Sequence, residues 1–255
     1  MYKRQVKKRC DGRFITTAGR AFYAYDEERT FVNKFSLTRN LQVYVGIDPG
    51  TGGVLNHPAG IVVAGVDLDK NLITVLSCWR GDGIETTSND IVRQYQTMVE
   101  TLDIKGVIYD HAAKDFNLTF TRECPNTPIM GAKKGRVEGI ERVNSYLEAK
   151  AIQIPQTRPF GVPWWEKTEV KKLEDEFRTV VVIEGSKKGG MIDDLTDALR
   201  YLCMTIDINL ELVRRETVHP IRGKLLTVGR HKFYENELNP AVHPEQLYWQ
   251  GLYQS

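Results

Sequence analysis

At 255 residues, 41% of them apolar, the chain is long enough to bury one sizeable core but short for two full domains. Its 35 basic and 33 acidic residues nearly balance, which excludes a uniformly polybasic nucleic-acid binder and confines any phosphate contact to local patches. The four cysteines (Cys10, Cys78, Cys124 and Cys203) form no CxxC pair and no group at zinc-ligand spacing, so free thiols in a reducing compartment are expected. No apolar run approaches the roughly 20 residues of a membrane-spanning helix. The basic N-terminus (Lys3, Arg4, Lys7, Lys8, Arg9) is not followed by a signal-like apolar stretch, and the expectation is a protein that works in a cytoplasm.

Residues 1–40 are rich in charge and aromatics and are broken by Gly12, Gly19 and Asp26-Glu27-Glu28-Arg29, which predicts an irregular lead-in. A domain over residues 41–213 follows. Residues 43–47 form its first strand, and residues 60–66 and 73–79 form two more, joined by the polar turn Asp67-Leu68-Asp69-Lys70-Asn71 as an antiparallel hairpin. Residues 89–102 carry Ile91, Val92, Tyr95, Met98, Val99 and Leu102 at helical spacing, with Ser88 or Asn89 as the expected cap. A strand then runs to Asp110. Three meandering strands, a crossover helix and a fourth strand are the opening of a ribonuclease H-like fold, so the predicted class is α/β with a mixed five-stranded sheet and helices on both faces.

Farther on, helices are predicted over residues 137–149 and 166–177, and a short edge strand over 152–154 stops at Pro155. Residues 180–183 read as a buried strand, and 184–190 as a Gly-flanked basic loop. The last clear helix is predicted from Asp193 to about residue 208. Residues 214–255 mix Pro, Gly and His irregularly and read as an extended tail.

Two of the predicted strands end on an acid. Val43-Tyr44-Val45-Gly46-Ile47-Asp48 breaks at once into Pro49-Gly50, and Gly106-Val107-Ile108-Tyr109 closes on Asp110. A third acidic site, Asp193-Asp194-Leu195-Thr196-Asp197, opens the last helix, where Asp194 and Asp197 share a face at a spacing of three. Hydrolysing a phosphodiester needs an activated water and a stabilised leaving oxygen, which two divalent ions about 4 Å apart supply. Mg2+ and Mn2+ prefer carboxylate oxygens and keep waters of their own. Asp48, Asp110, Asp194 and Asp197 are therefore the expected metal-binding and catalytic residues of a nuclease, with Asp193 as an N-cap or an outer support. Asp67, Asp69, Asp82 and Asp103 read as turn or surface residues.

The strings Gly46-Ile47-Asp48-Pro49-Gly50, Val107-Ile108-Tyr109-Asp110, Gly135-Arg136-Val137-Glu138-Gly139-Ile140 and Asp194-Leu195-Thr196-Asp197-Ala198-Leu199-Arg200-Tyr201 resemble the nuclease domain of phage terminase large subunits. The resemblance spans about residues 20–205, and the last string is its most specific part. It implies a metal-dependent endonuclease, using two Mg2+ or Mn2+ ions, that cuts concatemeric double-stranded DNA with little sequence preference in the host cell cytoplasm. The implied partners are DNA, the portal, a small terminase subunit and an ATPase domain or subunit, with no membrane. No GxxxxGK[ST] occurs, so ATP-driven translocation is expected to reside elsewhere, in an absent domain or a separate subunit. The first and last of these strings also resemble RuvC-type Holliday-junction resolvases, the alternative reading. A catalytically inactive DNA-binding or docking module is the third.

For DNA contact the expected residues are Lys133, Lys134, Arg136 and Arg142 around a helix start, and Lys187 and Lys188 in the Gly-flanked loop. His111 reads as structural or solvated, and Trp164-Trp165 as packing.

Overall fold

The computed structural model describes residues 19–33, 35, 40–50, 57–81, 83, 86–181 and 193–210, with the backbone of 225–228 and 231–234. The chain divides into two compact units, Met1–Arg215 and Glu216–Ser255. Among the described residues no helix is long and apolar enough to cross a membrane.

Among the described residues, the first unit is built on a mixed sheet of seven strands. Helix α1 (Glu27–Thr30) and strand β1 (Phe31–Val32) precede the three-stranded meander β2 (Leu41–Asp48), β3 (Gly60–Asp67) and β4 (Leu72–Arg80). Helix α2 (Ser88–Val99), β5 (Ile104–Tyr109), α3 (Lys114–Glu123), β6 (Ile129–Gly131), α4 (Arg136–Glu148), β7 (Ile152–Pro155), α5 (Lys167–Thr179) and α6 (Asp194–Thr205) follow. The strand order is β1-β7-β4-β3-β2-β5-β6, with β2–β3 and β3–β4 antiparallel and the remaining pairs parallel.

This is the expected ribonuclease H-like α/β arrangement with two strands more than the five predicted. The additions include β1 and β6, two and three residues long, which flank the sheet. Residues 111–131, for which the sequence predicts no element, hold both α3 and β6. The overlooked signal is Phe116 and Phe120, four apart and both buried, with Phe116 set edge-on to Tyr109 at 5.0 Å between centroids.

Strand alternation divides the core between the two faces of the sheet. Ile61 and Val63 of β3 point to the face covered by α2 and α3, and Val62, Ala64 and Val66 to the face of α4, α5 and α6. In β4 the pattern switches at Leu76, which lies in the register shift opposite Val63 and Ala64, so Ile73 and Val75 share a face with Cys78.

Four local expectations need correction. The cap of α2 is Thr87 rather than Ser88 or Asn89: its hydroxyl accepts from Asp90 N–H at 3.2 Å while the Asp90 carboxylate accepts from Thr87 N–H at 3.0 Å. The described part of the lead-in, residues 19–33, packs on the domain. Ala21, Phe22 and Tyr25 join the core, and Tyr25 stacks on Phe177 at 5.1 Å, while Arg178 clamps Glu27 at 2.6 Å. The acidic run expected as a break is the short helix α1. Of the strand predicted over 180–183, Val180 caps α5 and Val181 forms an isolated bridge with Arg20, and the remainder lies outside the described residues.

In the second unit, strands β8 (Leu225–Val228) and β9 (His231–Tyr234) pair antiparallel as a hairpin, where the sequence suggests only an extended tail.

Candidate active site

Parity along two strands aims their terminal acids at the same face. In β2, Val43, Val45 and Ile47 enter the core beneath α2 and α3, and Gly46 faces α6, so Asp48 continues on the α6 side. In β5, Val107 and Tyr109 enter the same core as Val45 and Ile108 enters the other, which sends Asp110 to the α6 side as well. Ile47 pairs with Tyr109 in parallel register, so Asp48 and Asp110 stand next to each other where two adjacent strands end. The main chain must turn sharply after Asp48. Gly50 does so at φ 67°, and its N–H donates to Asp48 Oδ1 at 3.2 Å.

Helix α6 brings the third acidic site to this mouth. It is seated on β2 and β3 through glycines: a Cβ at Gly46 would stand 2.2 Å from Ala198 O, and one at Gly60 2.4 Å from Asp194 O. Gly60 is the register partner of Asp48 across β2 and β3, so the first turn of α6 lies directly over the strand end that carries Asp48. Asp194 and Asp197 are both buried. The Tyr201 hydroxyl reports the convergence: burial raises its pKa most, and the negative charges of Asp48, Asp197 and Asp110 add to the rise against Arg200.

Cations hold several of these acids. Partial burial would raise the Asp110 carboxyl, but Lys134 Nζ at 2.8 Å and the Ala112 N–H at 2.8 Å prevail and hold it below the usual carboxylate range. Asp197 accepts from Arg200 Nε at 3.1 Å. Burial opposes the Arg200 charge, yet Asp197 and, farther off, Asp48 raise its pKa. Arg200 is itself packed over α4 at Gly139, where a Cβ would meet its Cγ at 2.5 Å, and its Nη1 is buried without a hydrogen-bond partner among the described residues.

Asp193 occupies the N-cap position through its backbone alone. Its carbonyl accepts from Asp197 N–H at 2.8 Å, but its side chain makes no capping bond and instead binds Arg136 Nη2 at 2.8 Å. Arg136, expected at DNA, is thus tied to the start of α6, and Arg142 is engaged by Asp207 at 3.1 Å and the Tyr146 hydroxyl at 3.2 Å. Lys133 and Lys134 are exposed, and Lys134 pairs with Asp110. Lys187 and Lys188 lie outside the described residues. His111 is exposed and leans on the Tyr109 ring at 5.1 Å, and Trp164 and Trp165 are partly buried against opposite faces of the core.

Sequence reasoning overlooks Glu176 and Arg80. Glu176 Oε2 accepts from Thr196 N–H at 2.8 Å and its Oε1 from Arg80 Nη1 at 3.1 Å. Burial pushes the Glu176 carboxyl up to about 7, against the Thr196 N–H and the Arg80 charge. Its i, i+7 relation to Glu169, which accepts from Arg80 N–H at 2.8 Å, is visible as a shared helix face, but nothing local names the partners.

As a donor set, the Asp oxygens suit a hard divalent cation. Among the described residues no three His, Cys, Asp or Glu side chains close into a ready-made metal nest.

No family model and no curated protein matches the chain. Solved structures do. The large terminase of a thermophilic bacteriophage is 20% identical, with a TM-score of 0.58 over 75% of this chain and 45% of that one, so the chain spans less than half of that terminase's length. The nuclease domain of the P22 large terminase is 16% identical, with a TM-score of 0.53, and covers 74% of this chain and 92% of its own. The large terminase nuclease of thermophilic phage G20c, in a structure with bound magnesium, is 16% identical at a TM-score of 0.50, covering 72% of this chain and 96% of that one. With the sheet order above, these similarities show that the chain has the ribonuclease H-like fold of phage large terminase nuclease domains.

Proposed function

We propose that the chain is the metal-dependent endonuclease of a viral DNA-packaging terminase, cutting concatemeric duplex DNA with little sequence preference in the bacterial host cytoplasm. The observation that carries this reading is the juxtaposition of Asp48 and Asp110 at adjacent strand ends, beneath the first turn of a helix that carries Asp194 and Asp197. The fold shared with terminase nuclease domains supports it, as does the magnesium bound to the G20c protein. Two Mg2+ or Mn2+ ions held by Asp48, Asp110, Asp194 and Asp197 would supply water activation and charge stabilisation at the leaving oxygen.

The chain's own residues set the stage for that chemistry. Arg200 fixes the rotamer of Asp197, and the Gly50 turn fixes that of Asp48. Lys133 and Lys134 place positive charge on the rim, where a phosphate backbone would pass. In this reading Lys187 and Lys188, which precede α6 in the sequence, add to the same DNA contact. An ATPase domain or subunit, the portal and a small terminase subunit are the proposed partners.

Linear and supercoiled plasmids incubated with Mg2+, Mn2+ or EDTA, beside a synthetic four-way junction, test the proposal. Cleavage of both plasmid forms with either ion and none in EDTA is the expected result. A protein inert with both ions at several pH values overturns it, and DNA binding in that inert protein would leave a docking module. Selective, symmetric cutting of the junction would establish the resolvase reading instead.

The rim makes a separate prediction. Lys133→Ala with Lys134→Ala should flatten the dependence of log affinity on log salt by about 0.9 for each phosphate that these lysines neutralise. Binding of a short duplex across a salt series, in Ca2+ to limit cleavage, measures this. An unchanged slope would mean that these lysines are a solvated edge.

A further inference from the structure

Among the described residues, the first turn of α6 makes no hydrogen bond with its own N-cap side chain. The leading N–H groups of a helix have no partner within it, and an N-cap side chain ordinarily accepts from the second or third of them. Here the N-cap side chain is turned away to Arg136. The third residue, Thr196, donates its N–H to Glu176, 20 positions earlier and on another helix. The Thr196 N–H lies in the backbone between Asp194 and Asp197, so whatever holds it holds both acids. We propose that Glu176 is a positioning residue of the metal site, capping α6 from α5 and thereby setting where Asp194 and Asp197 stand. The inference rests on the nuclease reading.

Glu176 is well placed for this role because it is itself fixed on both sides. Its second oxygen is bound by Arg80, whose backbone N–H is in turn held by Glu169, two turns back along the same face of α5. Arg80 ends β4 and is the register partner of Gly60, the residue on which the Asp194 carbonyl rests. The network therefore joins the strand beneath α6 to the helix beside it, and Glu176 is 2% exposed. The next residue, Phe177, is locked by Phe22 and Tyr25 at centroid distances of 5.2 and 5.1 Å, so α5 gives the carboxylate a rigid base. The positive pole of the α6 dipole favours the charged form of this carboxyl and so works against the burial that raises its pKa.

Glu176→Met fills much the same space without an acceptor, and Arg80, with its side chain 20% exposed, can then turn to water. Glu176→Gln keeps a carbonyl for the Thr196 N–H. Leu173→Ala, on the same helix and fully buried, serves as a control that weakens packing without touching the cap. Mn2+ binding by calorimetry and single-turnover plasmid cleavage against Mn2+ concentration should be measured for the wild type and these three variants beside their melting temperatures. Glu176→Met should weaken Mn2+ binding by roughly 10- to 100-fold, as removal of an outer support does at other metal sites. Its half-maximal Mn2+ concentration for cleavage should rise in step, and Glu176→Gln should recover most of the loss. Leu173→Ala should lower the melting temperature and leave the Mn2+ midpoint in place. A Glu176→Met protein with the wild-type midpoint, or one no worse than Leu173→Ala, overturns the inference while the nuclease reading stands. A wild type that neither binds Mn2+ nor cuts DNA overturns both.

Discussion

Asp48→Ala should abolish cleavage while leaving the fold intact. Asp48 ends β2 next to Asp110 and beneath the first turn of α6, so in the proposed function it is the acid that two ions would share. Losing a shared ligand removes water activation and leaving-group stabilisation together, several kcal/mol of barrier, which is a drop of about 10³-fold or more. The fold should survive because the core contributions of β2 come from Val43, Val45 and Ile47 on the opposite face. Plasmid cleavage beside circular-dichroism melting checks both halves. Asp194→Ala should behave in the same way. Asp193→Ala should keep measurable cleavage with some loss of stability, because its carboxylate is committed to Arg136. An Asp193→Ala protein as inert as Asp194→Ala would move the ligand assignment one residue along the helix.

Gly46→Ala should be the most damaging single-methyl change in the sheet. Its Cβ would fall 2.2 Å from Ala198 O and 2.9 Å from Leu202 Cγ, and the first of these is backbone, which cannot rotate away. Helix α6 would have to lift from β2, at an overpacking cost of about 1–3 kcal/mol or more. The acids at its start would move with it. We expect a lower melting temperature and at least a tenfold loss of cleavage together. Gly60→Ala should show the same coupling through Asp194 O at 2.4 Å. Gly131→Ala is the control, since its Cβ would meet nothing nearer than His111 Cε1 at 3.5 Å, an ordinary contact. A Gly46→Ala protein with unchanged stability and activity would mean that α6 does not sit on β2 at this point.

Much of this architecture is legible along the chain. Alternation in residues 43–47 and 107–109 predicts strands whose next residue, Asp48 or Asp110, falls on a defined face at a strand end, and both strands are present. Helical spacing locates α2, α4 and α5 to within a few residues, because each buries one stripe, whereas α6, located as closely, is buried on every side from Asp194 to Cys203. The stretch after Asp110 escapes that reading although Phe116 and Phe120 mark a helix face. Two- and three-residue strands such as β1 and β6 escape for a different reason: they are too short for any period to show.

What the amino-acid sequence determined by itself, then, was the placing of acids at element ends and the order of most of the longer strands and helices, both consequences of local periodicity. The partnerships were decided only by the tertiary structure. Asp193 goes to Arg136 rather than to its own helix, Glu176 takes up the Thr196 N–H, and Gly46 and Gly60 yield the space in which α6 rests. Such pairings join residues 20 to more than 100 positions apart, and each depends on which surfaces the packed sheet brings within hydrogen-bonding or van der Waals distance, a relation that no repeat along the chain encodes.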